Sequence, residues 1–366
     1  MSLQKHDPVR WCDEFATAFH NALSRAGLVA RLRCDAGREW ADVSSALSYL
    51  PVDYSQSVLD YYQTYWPGVG VPFQDASVVL YHDNRPCAIW PLALVKDGTG
   101  QWKLSSNGGS VKPPLLVPGL ARKSRKSLAL GCVSALAWYA EWIGQAEIES
   151  EEGFTEEHRL SDWHDRLMQC GGRVRLVHDM FLDLRPSIAE IKGGFRKSYK
   201  ALVTSGSKLW SVNLLTTADV DLWQEFRVFH RSVAGRITRC NESWRANHDA
   251  IASGNAFFVY LRSGDGKMVG GGLFYVTRDE GLYSIGAYDR SLFDKPLGHV
   301  VQYYAIEEMK RRGIRWYRLG VRSYRGDEPP PSDKDITISQ FKQGFSSHLL
   351  PRYRINCLFP GEVLRL

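Results

Sequence analysis

Residues 296–320, PLGHVVQYYAIEEMKRRGIRWYRLG, contain the strongest structural signal in the sequence. Its apolar residues recur at helical spacing from Leu297 to about Arg312, and Gly313 stands where a helix-ending glycine is expected. The segment Trp316–Val321 follows almost at once and is rich in aromatic and aliphatic side chains, which predicts a strand. A single strand needs neighbouring strands to pair with, and the sequence on either side of this stretch should supply them.

Three β-rich segments precede this stretch and predict an antiparallel meander. They are Ala256–Arg262, Met268–Thr277 and Leu282–Ala287, separated by turns of Gly, Asp and charged residues. Helices are predicted over residues 186–206 and 218–233, before the meander. A short amphipathic helix at 338–345 and a strand at 353–359 are predicted to close the second half.

The first half repeats the same order of elements. Helical segments lie within residues 40–66, β-rich segments at 77–81, 87–95 and 102–106, a long helix at about 123–143 and a strand at 173–184. We therefore predict an α/β (α+β) protein of two tandem lobes, residues 1–185 and 186–366. Each lobe has a mixed, mostly antiparallel sheet flanked by helices. The acidic segment between residues 147 and 165 is interpreted as a solvated connector.

The net charge of +6 is unevenly distributed along the chain. Residues 1–180 carry 18 basic and 21 acidic side chains, a net charge of −3. Residues 181–366 carry 28 basic and 19 acidic side chains, a net charge of +9. A polyanionic ligand is therefore expected on the second half.

Several classes of protein are disfavoured by what the sequence lacks. The longest apolar run, Leu128–Ala140, has 13 residues, too few to span a bilayer, and no apolar signal core opens the chain, so we expect a cytoplasmic protein. The seven cysteines are scattered without a CxxC pair, so neither a metal site nor a disulfide framework is predicted. The glycines of Gly264–Gly270 have the wrong spacing for a dinucleotide loop and predict a hairpin turn.

The stretch 296–320 resembles the helix–strand segment of the FemABX family, and Ile338-Ser-Gln-Phe341-Lys342-Gln-Gly344-Phe345 resembles the Phe-Lys-x-Gly-Phe element that follows it there. The resemblance implies two lobes of the GNAT acyltransferase fold, whose layout is a meander followed by a helix and a strand. Enzymes of the family transfer an amino acid from aminoacyl-tRNA onto an amine. This sequence lacks the long coiled-coil insertion of some members and shows no sign of membrane association, which leaves the acceptor open.

Aminolysis of an ester needs a nucleophilic amine and stabilisation of an oxyanion, which a fixed cation can supply. Lys342 is the predicted catalytic residue. The resemblance places this lysine at the tRNA 3′ end, with Phe341 stacking on the terminal adenine, as aromatic rings do on unpaired bases. The structural alternative is that Phe341 and Phe345 belong to the core and that Lys342 is a surface charge.

Two further groups of residues are predicted to bind substrate. Arg196, Lys197 and Lys200 form a basic patch that could hold a diphosphate or tRNA phosphates, with 196 and 200 on one helical face. The alternative is a solvated helix face. Arg322 and Tyr324 lie at the end of the strand predicted after Gly313, where ligand clefts commonly open.

An acyl-CoA cofactor is predicted to be less suitable than tRNA. The turn before the helix of residues 296–320 contains a single glycine, Gly298, and a proline, so few backbone N–H groups converge on a pyrophosphate. His299 beside this turn is a candidate general base, although a structural role suffices for it.

The leading hypothesis is a Fem-like aminoacyltransferase that takes aminoacyl-tRNA as co-substrate, uses no other cofactor, and forms an amide on a small or nucleotide-linked amine. One alternative is an acyl-CoA-dependent N-acyltransferase that acts on an amino sugar or another small amine, with acetyl-CoA as donor. Another alternative is a non-catalytic RNA-binding protein. The oligomeric state stays open.

Overall fold

The computed structural model describes residues 8–156 and 160–358, with side chains from Glu14 onward. The described residues form eleven α-helices: α1 (Pro8–Arg25), α2 (Gly37–Ala46), α3 (Gln56–Gly68), α4 (Arg122–Trp142), α5 (Asp162–Gln169), α6 (Ile188–Gly194), α7 (Lys197–Leu209), α8 (Val220–Ala234), α9 (Asn241–Ala252), α10 (Leu297–Arg311) and α11 (Asp333–Gln343). They also form fifteen strands: β1 (Val29–Leu32), β2 (Phe73–Asp75), β3 (Val78–His82), β4 (Arg85–Trp90), β5 (Ala93–Lys96), β6 (Trp102–Ser105), β7 (Leu115–Leu116), β8 (Glu147–Glu152), β9 (Arg173–Asp183), β10 (Ser211–Leu215), β11 (Ala256–Arg262), β12 (Met268–Val276), β13 (Glu280–Tyr288), β14 (Trp316–Arg322) and β15 (His348–Leu358).

The chain divides into two compact units that are not continuous in sequence. The first unit comprises Met1–Tyr49, Gly70–Leu176 and Tyr353–Leu366, and the second comprises Leu50–Val69 and Val177–Arg352. This division differs from two contiguous segments that meet at residue 185. Helix α3 belongs to the second unit because Val58 and Tyr61 share a buried core with Trp223 and Tyr275.

The first unit contains two small antiparallel sheets, in the orders β1-β3-β4-β7 and β2-β5-β6. The segment predicted as one strand at residues 87–95 is two strands, β4 and β5, because Pro91 has no N–H to continue a ladder. Helix α4 contains the 13-residue apolar run. Its Tyr139 lies in the core and donates a hydrogen bond of 3.1 Å to the carbonyl oxygen of Phe15.

The acidic segment was wrongly predicted to be a solvated connector, because its first part is strand β8. This strand pairs in antiparallel register with residues 353–358 of β15. The carboxylate of Glu151 is buried and lies 3.3 Å from Lys112 Nζ and 3.2 Å from Arg354 Nε. Ion pairing with residues far away in sequence compensates for the loss of hydration, so a run of glutamates is compatible with a half-buried strand.

The second unit is built on a sheet in the order β10-β11-β12-β13-β14-β9. The predicted meander is confirmed as β11, β12 and β13, and its first hairpin closes through Gly266, whose φ of +83° explains the glycine in that turn. Helix α10 packs against this sheet, and β14 then joins β13 in parallel. The second unit thus has helices, an antiparallel set of strands, a long helix and a strand, as predicted. In the first unit the strand after α4 is β8. The strand predicted there at residues 173–184 is β9, which belongs to the second unit from Val177 onward and pairs with β14.

Three helical predictions for the second unit differ from the structure. The helix predicted at residues 186–206 is two helices, α6 and α7, separated at Phe195 and Arg196. Helix α11 begins five residues before the predicted residue 338, at Asp333, because Ser332 and Asp335 form a capping box there. Helix α9 was missed, and it buries Trp244 and Ile251 against the core.

Six cysteines lie among the residues whose side chains the structure describes: Cys34, Cys87, Cys132, Cys170, Cys240 and Cys357, all as free thiols. Within residues 8–156 and 160–358, the helices are too short or too polar to cross a lipid bilayer.

Candidate functional site

Strands β13 and β14 separate after a short contact in the second unit. They pair in parallel only from Glu280 opposite Trp316 to Leu282 opposite Arg318. Beyond that point β13 stays paired with β12 and β14 stays paired with β9. The backbones therefore diverge, and we call the space between their later residues the β13–β14 opening.

Lys342 reaches this opening from helix α11. Its Nζ lies 5.6 Å from the ring centroid of Tyr283 on β13. On the β14 side, a Cβ atom placed on Gly320 would lie 3.5 Å from the same Nζ. Gly320 has a φ of +105°, a conformation that favours glycine, and this keeps the β14 side of the opening free of a side chain.

The ammonium group of Lys342 has neither a carboxylate partner nor a hydrogen bond among the described residues. Its side chain is half-buried, and desolvation lowers the pKa of the amine. A cation that has lost part of its hydration without gaining a counterion interacts strongly with any oxygen that arrives beside it. The position of Lys342 therefore suits a group that stabilises developing negative charge.

Phe341 belongs to an aromatic cluster with Tyr199, His299 and Phe345. Its ring lies 5.0 Å from the His299 ring and 5.8 Å from the Tyr199 ring, centroid to centroid. Phe345 is a buried core residue, whereas Phe341 is half-buried. The partly exposed ring of Phe341 is compatible with stacking, and that role stays a prediction.

Gly344 explains the Gly of the Phe-Lys-x-Gly-Phe element. A Cβ atom at this position would lie 2.1 Å from the ring of Tyr199, so a larger residue would displace α7 from α11. The Tyr199 hydroxyl also donates a 3.1 Å hydrogen bond to the carbonyl oxygen of Phe341. The element is therefore held against α7 by contacts on both sides of Lys342.

His299 lies at the start of α10, under the aromatic cluster. Burial and the nearby charge of Arg196 lower the pKa of its imidazole to about 4. The buried Nε2 atom finds no hydrogen-bond partner in the described part of the chain. The imidazole is therefore neutral at pH 7 and has a free ring nitrogen.

The three predicted cations of the basic patch have different environments. Arg196 was predicted to share a helical face with Lys200, but it precedes α7. It contacts the end of α11 instead. Its backbone N–H donates to the carbonyl oxygen of Gly344 at 2.9 Å, and its guanidinium donates to the carbonyl oxygen of Gln340 at 3.3 Å. Lys197 is exposed and Lys200 is half-buried, and neither has a carboxylate partner within the described residues. The patch thus keeps two cations available for a ligand.

Arg322 lies beneath α11. Its Nε donates to Gln343 Oε1 at 2.8 Å, one of its terminal nitrogens donates to Ser339 Oγ at 3.0 Å, and the guanidinium lies 4.6 Å from the ring centroid of Tyr324. These contacts join β14 to the helix that carries Lys342. They indicate a positioning role for Arg322, and substrate binding by Arg322 and Tyr324 stays a prediction.

The other cations near β14 are neutralised. Arg318 is buried between Asp53 at 2.8 Å and Glu280 at 2.9 Å. Arg315 pairs with Asp279 at 2.7 Å, and both Arg311 and Arg312 pair with Glu308. A count of charges along the sequence does not reveal these ion pairs. These arginines are therefore paired internally, and the charge available to a ligand lies on other basic residues of the second half.

A second group of cations was missed by the sequence analysis. Arg227, Arg236 and Arg239 line a cavity of about 730 Å³ between α8, α9 and the end of α3. Arg239 donates to the Tyr61 hydroxyl at 3.0 Å and lies 5.9 Å from the ring centroid of Tyr65. In the parts of the chain that the structure describes, none of the three forms an ion pair with a carboxylate. We call this the arginine pocket. In the sequence, only the closeness of Arg236 to Arg239 could have indicated it.

Residues 195–330 match the family model described as an acetyltransferase (GNAT) domain. This segment includes β13, β14 and the three arginines of the arginine pocket, whereas Lys342 on α11 and Tyr65 on α3 lie outside it. A comparison with curated proteins finds no match to the sequence.

Similar solved structures cover most of the chain. FemX has 11% identity and a TM-score of 0.64, over 87% of this chain and 95% of FemX. L-PGS from Bacillus licheniformis has 12% identity and a TM-score of 0.54, over 87% and 90% of the two chains. A protein of unknown function from Bacteroides thetaiotaomicron has 12% identity and a TM-score of 0.55, over 90% and 99%. The chain therefore has the FemX-like fold of two GNAT-like lobes, and residues 195–330 of its second half are similar to an acetyltransferase (GNAT) domain.

Proposed function

We propose that this protein is a Fem-like aminoacyltransferase, which moves an amino acid from aminoacyl-tRNA to an amine of a small or nucleotide-linked acceptor. The observation that carries the proposal is Lys342, a half-buried ammonium without a counterion among the described residues, at the β13–β14 opening. The FemX-like fold and the GNAT domain support the transferase class.

In this reaction the acceptor amine attacks the carbonyl carbon of the ester that joins the amino acid to the 3′-terminal ribose. A C–N bond forms, the C–O bond to the ribose breaks, and the carbonyl oxygen is negatively charged between these events. Lys342 Nζ donates a hydrogen bond to this oxygen, an interaction that typically contributes a factor of about 10² to 10³ to the rate. The amine proton passes to the departing ribose oxygen, directly or through water.

The tRNA 3′ end would lie along α11 and the start of α7. The partly exposed ring of Phe341 offers a surface on which the terminal adenine stacks. Lys197 and Lys200 provide positive charges for the preceding phosphates, with Arg196 beside them at the end of α11. Binding by these residues predicts a strong dependence of tRNA affinity on salt.

The arginine pocket suits an anionic group of the acceptor. Guanidinium groups bind phosphate in a planar, two-pronged geometry, and three of them line this cavity together with one carboxylate residue, Glu242. The ring of Tyr65 adds an apolar surface beside them. A phosphate or diphosphate on the acceptor would be held there, which supports the nucleotide-linked class of acceptors.

The test is transfer of a radiolabelled amino acid from charged tRNA to candidate amines. We expect Lys342→Ala to transfer at least about 100-fold more slowly than the wild type. Lys334→Ala is the matched control, because this exposed lysine lies on the same helix. A Lys342→Ala variant as fast as the wild type would contradict the proposed role.

A second candidate is an acyl-CoA-dependent N-acyltransferase. The observation in its favour is the start of α10, which follows the meander, has no acidic residue in its first turn and has no side-chain cap. Thermal unfolding with acetyl-CoA and with aminoacyl-tRNA separates the two candidates, because stabilisation by acetyl-CoA alone favours the second. Salt-dependent RNA binding without turnover of any amine would indicate a non-catalytic RNA-binding protein instead.

A further inference from the structure

The contacts of Lys342 Nζ indicate which group holds this ammonium at the β13–β14 opening. Helix α11 carries only the long, flexible stem of the side chain, and the ammonium has neither a hydrogen bond nor a carboxylate partner among the described residues. Nζ lies over the ring of Tyr283, 5.6 Å from its centroid. A cation within about 6 Å of an aromatic centroid is attracted by the negative face of the ring. Tyr283 is therefore the side chain that can fix the position of the ammonium.

Two glycines leave the space that the ring of Tyr283 occupies. A Cβ atom on Gly286 would overlap the Tyr283 hydroxyl oxygen, and a Cβ atom on Gly272 would lie 2.9 Å from the ring atom Cε2. Gly272 and Gly286 are paired across β12 and β13. Phe274 packs against the same ring with 5.2 Å between centroids. The ring is therefore closely surrounded, and its position depends on the absence of side chains at both glycines.

The hydroxyl group and an irregularity of β13 fix the ring further. The Tyr283 hydroxyl oxygen lies 3.2 Å from that of Tyr288, and one of the two groups donates a hydrogen bond to the other. The pairing of β13 with β12 shifts at Ser284, which is the extra residue of a β-bulge. Bulges redirect the neighbouring side chains. This one lies two residues after Leu282, the last residue of β13 that pairs with β14.

An aromatic ring holds an ammonium group in a different way from a carboxylate. A carboxylate neutralises the charge and accepts hydrogen bonds from the N–H donors, whereas a ring face does not neutralise the charge and leaves the donors that point away from it free. The ring here is uncharged at pH 7, because burial raises the pKa of Tyr283 to about 12. Lys342 thus keeps the charge and the free N–H groups that stabilisation of an oxyanion requires.

We propose that Tyr283 is a positioning residue for the acyl transfer: the face of its ring holds the Lys342 ammonium at the β13–β14 opening and leaves N–H groups free for the carbonyl oxygen. This inference deepens the proposed function and rests on it. Gly272 and Gly286 contribute indirectly, because they leave room for the ring. Tyr283 acts through Lys342, so its substitution changes the rate only while the lysine is present.

A measurement on the lysine itself tests the contact without any transfer. Acetylation of Lys342 by acetic anhydride is followed by mass spectrometry over a pH series, and the midpoint of its rate gives the pKa of the amine. We expect Tyr283→Leu to move this midpoint down by roughly 0.5 to 1 pH unit, because the ring stabilises the cation, and Tyr283→Phe to retain it. A ring that only excludes water would give the opposite shift, because a better hydrated amine is more easily charged. An unchanged or raised midpoint in Tyr283→Leu overturns the proposal.

Transfer kinetics connect this contact to the reaction. Tyr283→Leu is expected to lower kcat about fivefold to tenfold with an unchanged KM for aminoacyl-tRNA, and the conservative Tyr283→Phe recovers most of the rate. In a Lys342→Met background, Tyr283→Leu should have no further effect. Tyr303→Leu is the matched control, because Lys192 Nζ lies 5.0 Å from the Tyr303 ring centroid in another lysine–tyrosine pair. The control should change neither the labelling midpoint of Lys342 nor kcat.

Gly286→Ala is the second variant, because Tyr283→Leu could impair folding. It keeps the ring but displaces it, and we expect a similar loss of kcat. Adding Tyr283→Phe removes the hydroxyl that the new methyl group would overlap, so the double variant should recover part of the rate. Folding of each variant is checked by circular dichroism.

The two measurements separate failure of this inference from failure of the proposed function. A wild-type protein that transfers no amino acid contradicts the proposed function, and the labelling midpoint still decides whether the ring holds the ammonium. If the wild type transfers and folded Tyr283→Leu and Gly286→Ala variants are equally fast, the positioning role is wrong while the proposed function stands.

Discussion

The cations near the two ends of β14 differ in whether a carboxylate neutralises them. Near the first end, Arg318 is buried between the carboxylates of Asp53 and Glu280. Near the other end, Lys342 approaches Gly320 without a carboxylate partner among the described residues. Both cations have lost hydration, so the presence or absence of a counterion is the difference between them.

The pKa shifts follow this difference. Burial opposes the charge of Arg318, but the charges of Asp53 and Glu280 outweigh it and raise its pKa well above the usual range. Burial lowers the pKa of Lys342, and no carboxylate opposes the effect. A paired cation contributes to stability, whereas an unpaired one is poorly stabilised until a ligand supplies the missing negative charge.

The largest expected effect is that of Arg318→Met on stability. The substitution leaves two carboxylates in a buried region without their guanidinium, which typically costs about 3 to 5 kcal/mol. Urea unfolding followed by tryptophan fluorescence measures it. The control is Lys267→Ala, whose ion pair with Asp265 is solvent-exposed and is expected to contribute far less to stability. Equal losses in the two variants would contradict the interpretation of the Arg318 ion pairs.

Lys342→Met is expected to have the opposite pattern. The substitution removes a desolvated charge, so the free energy of unfolding stays the same or rises, while aminoacyl transfer falls about 100-fold. Lys342→Arg keeps the charge, and we expect it to recover part of the rate. Unfolding and transfer are measured on the same preparations. A Lys342→Met variant destabilised as strongly as Arg318→Met would show that this lysine is structural.

The sequence predicted the elements whose stabilising contacts are local. Helix α10, the meander and β14 lie close to their predicted bounds, because helical periodicity, glycine turns and β-rich segments are all local signals. Strand β8 was missed because the partners of its glutamates, Lys112 and Arg354, are distant in sequence. Local charge alone indicated solvent where the fold provides ion pairs.

The candidate site shows the same limit. The Phe341-Lys342 element was found as a motif, yet only the fold shows that Lys342 is unpaired while Arg318 is neutralised by Asp53. The arginine pocket depends on a turn that brings Arg227 beside Arg239. Such juxtapositions are set by tertiary structure, so counting charges along the chain predicted the sign of the field and not the residues available to a ligand.

His299 adds a third case to this comparison, a buried side chain that is neutral instead of charged. Burial and the Arg196 charge lower its pKa from the usual 6.5 to about 4, so below pH 6.5 the unfolded chain binds the proton more readily than the folded one. Stability conferred by the neutral imidazole is therefore lost as pH falls from 6.5 toward 4. We expect the wild type to lose about 2 kcal/mol more than His299→Leu between pH 6.5 and 4.5.

Urea unfolding at a series of pH values measures this difference. His230, whose pKa burial also lowers to about 4, is present in both proteins, so the comparison isolates His299. Parallel curves of stability against pH would show that the imidazole of His299 titrates normally.

Gly320→Ala is expected to have the smallest effect on stability and on transfer. It separates the effect of backbone strain from an effect on the reaction itself. Alanine at a φ of +105° is strained, and its methyl group would lie 3.5 Å from Lys342 Nζ, so we expect a loss of about 1 kcal/mol in stability and a roughly threefold slower transfer. Gly313→Ala is the matched control: its φ is +74°, and a methyl group there meets no atom within 4 Å.

Both glycine variants are expected to lose similar stability, because both place alanine in a conformation that favours glycine. Only Gly320→Ala adds an atom at the β13–β14 opening, so only this variant should slow transfer, and the free energy of unfolding and the transfer rate are compared for both. If Gly313→Ala slows transfer equally, the loss reflects general destabilisation. Slower transfer confined to Gly320→Ala would mean that the reaction depends on the space beside Gly320 and on the position of Lys342 Nζ next to it.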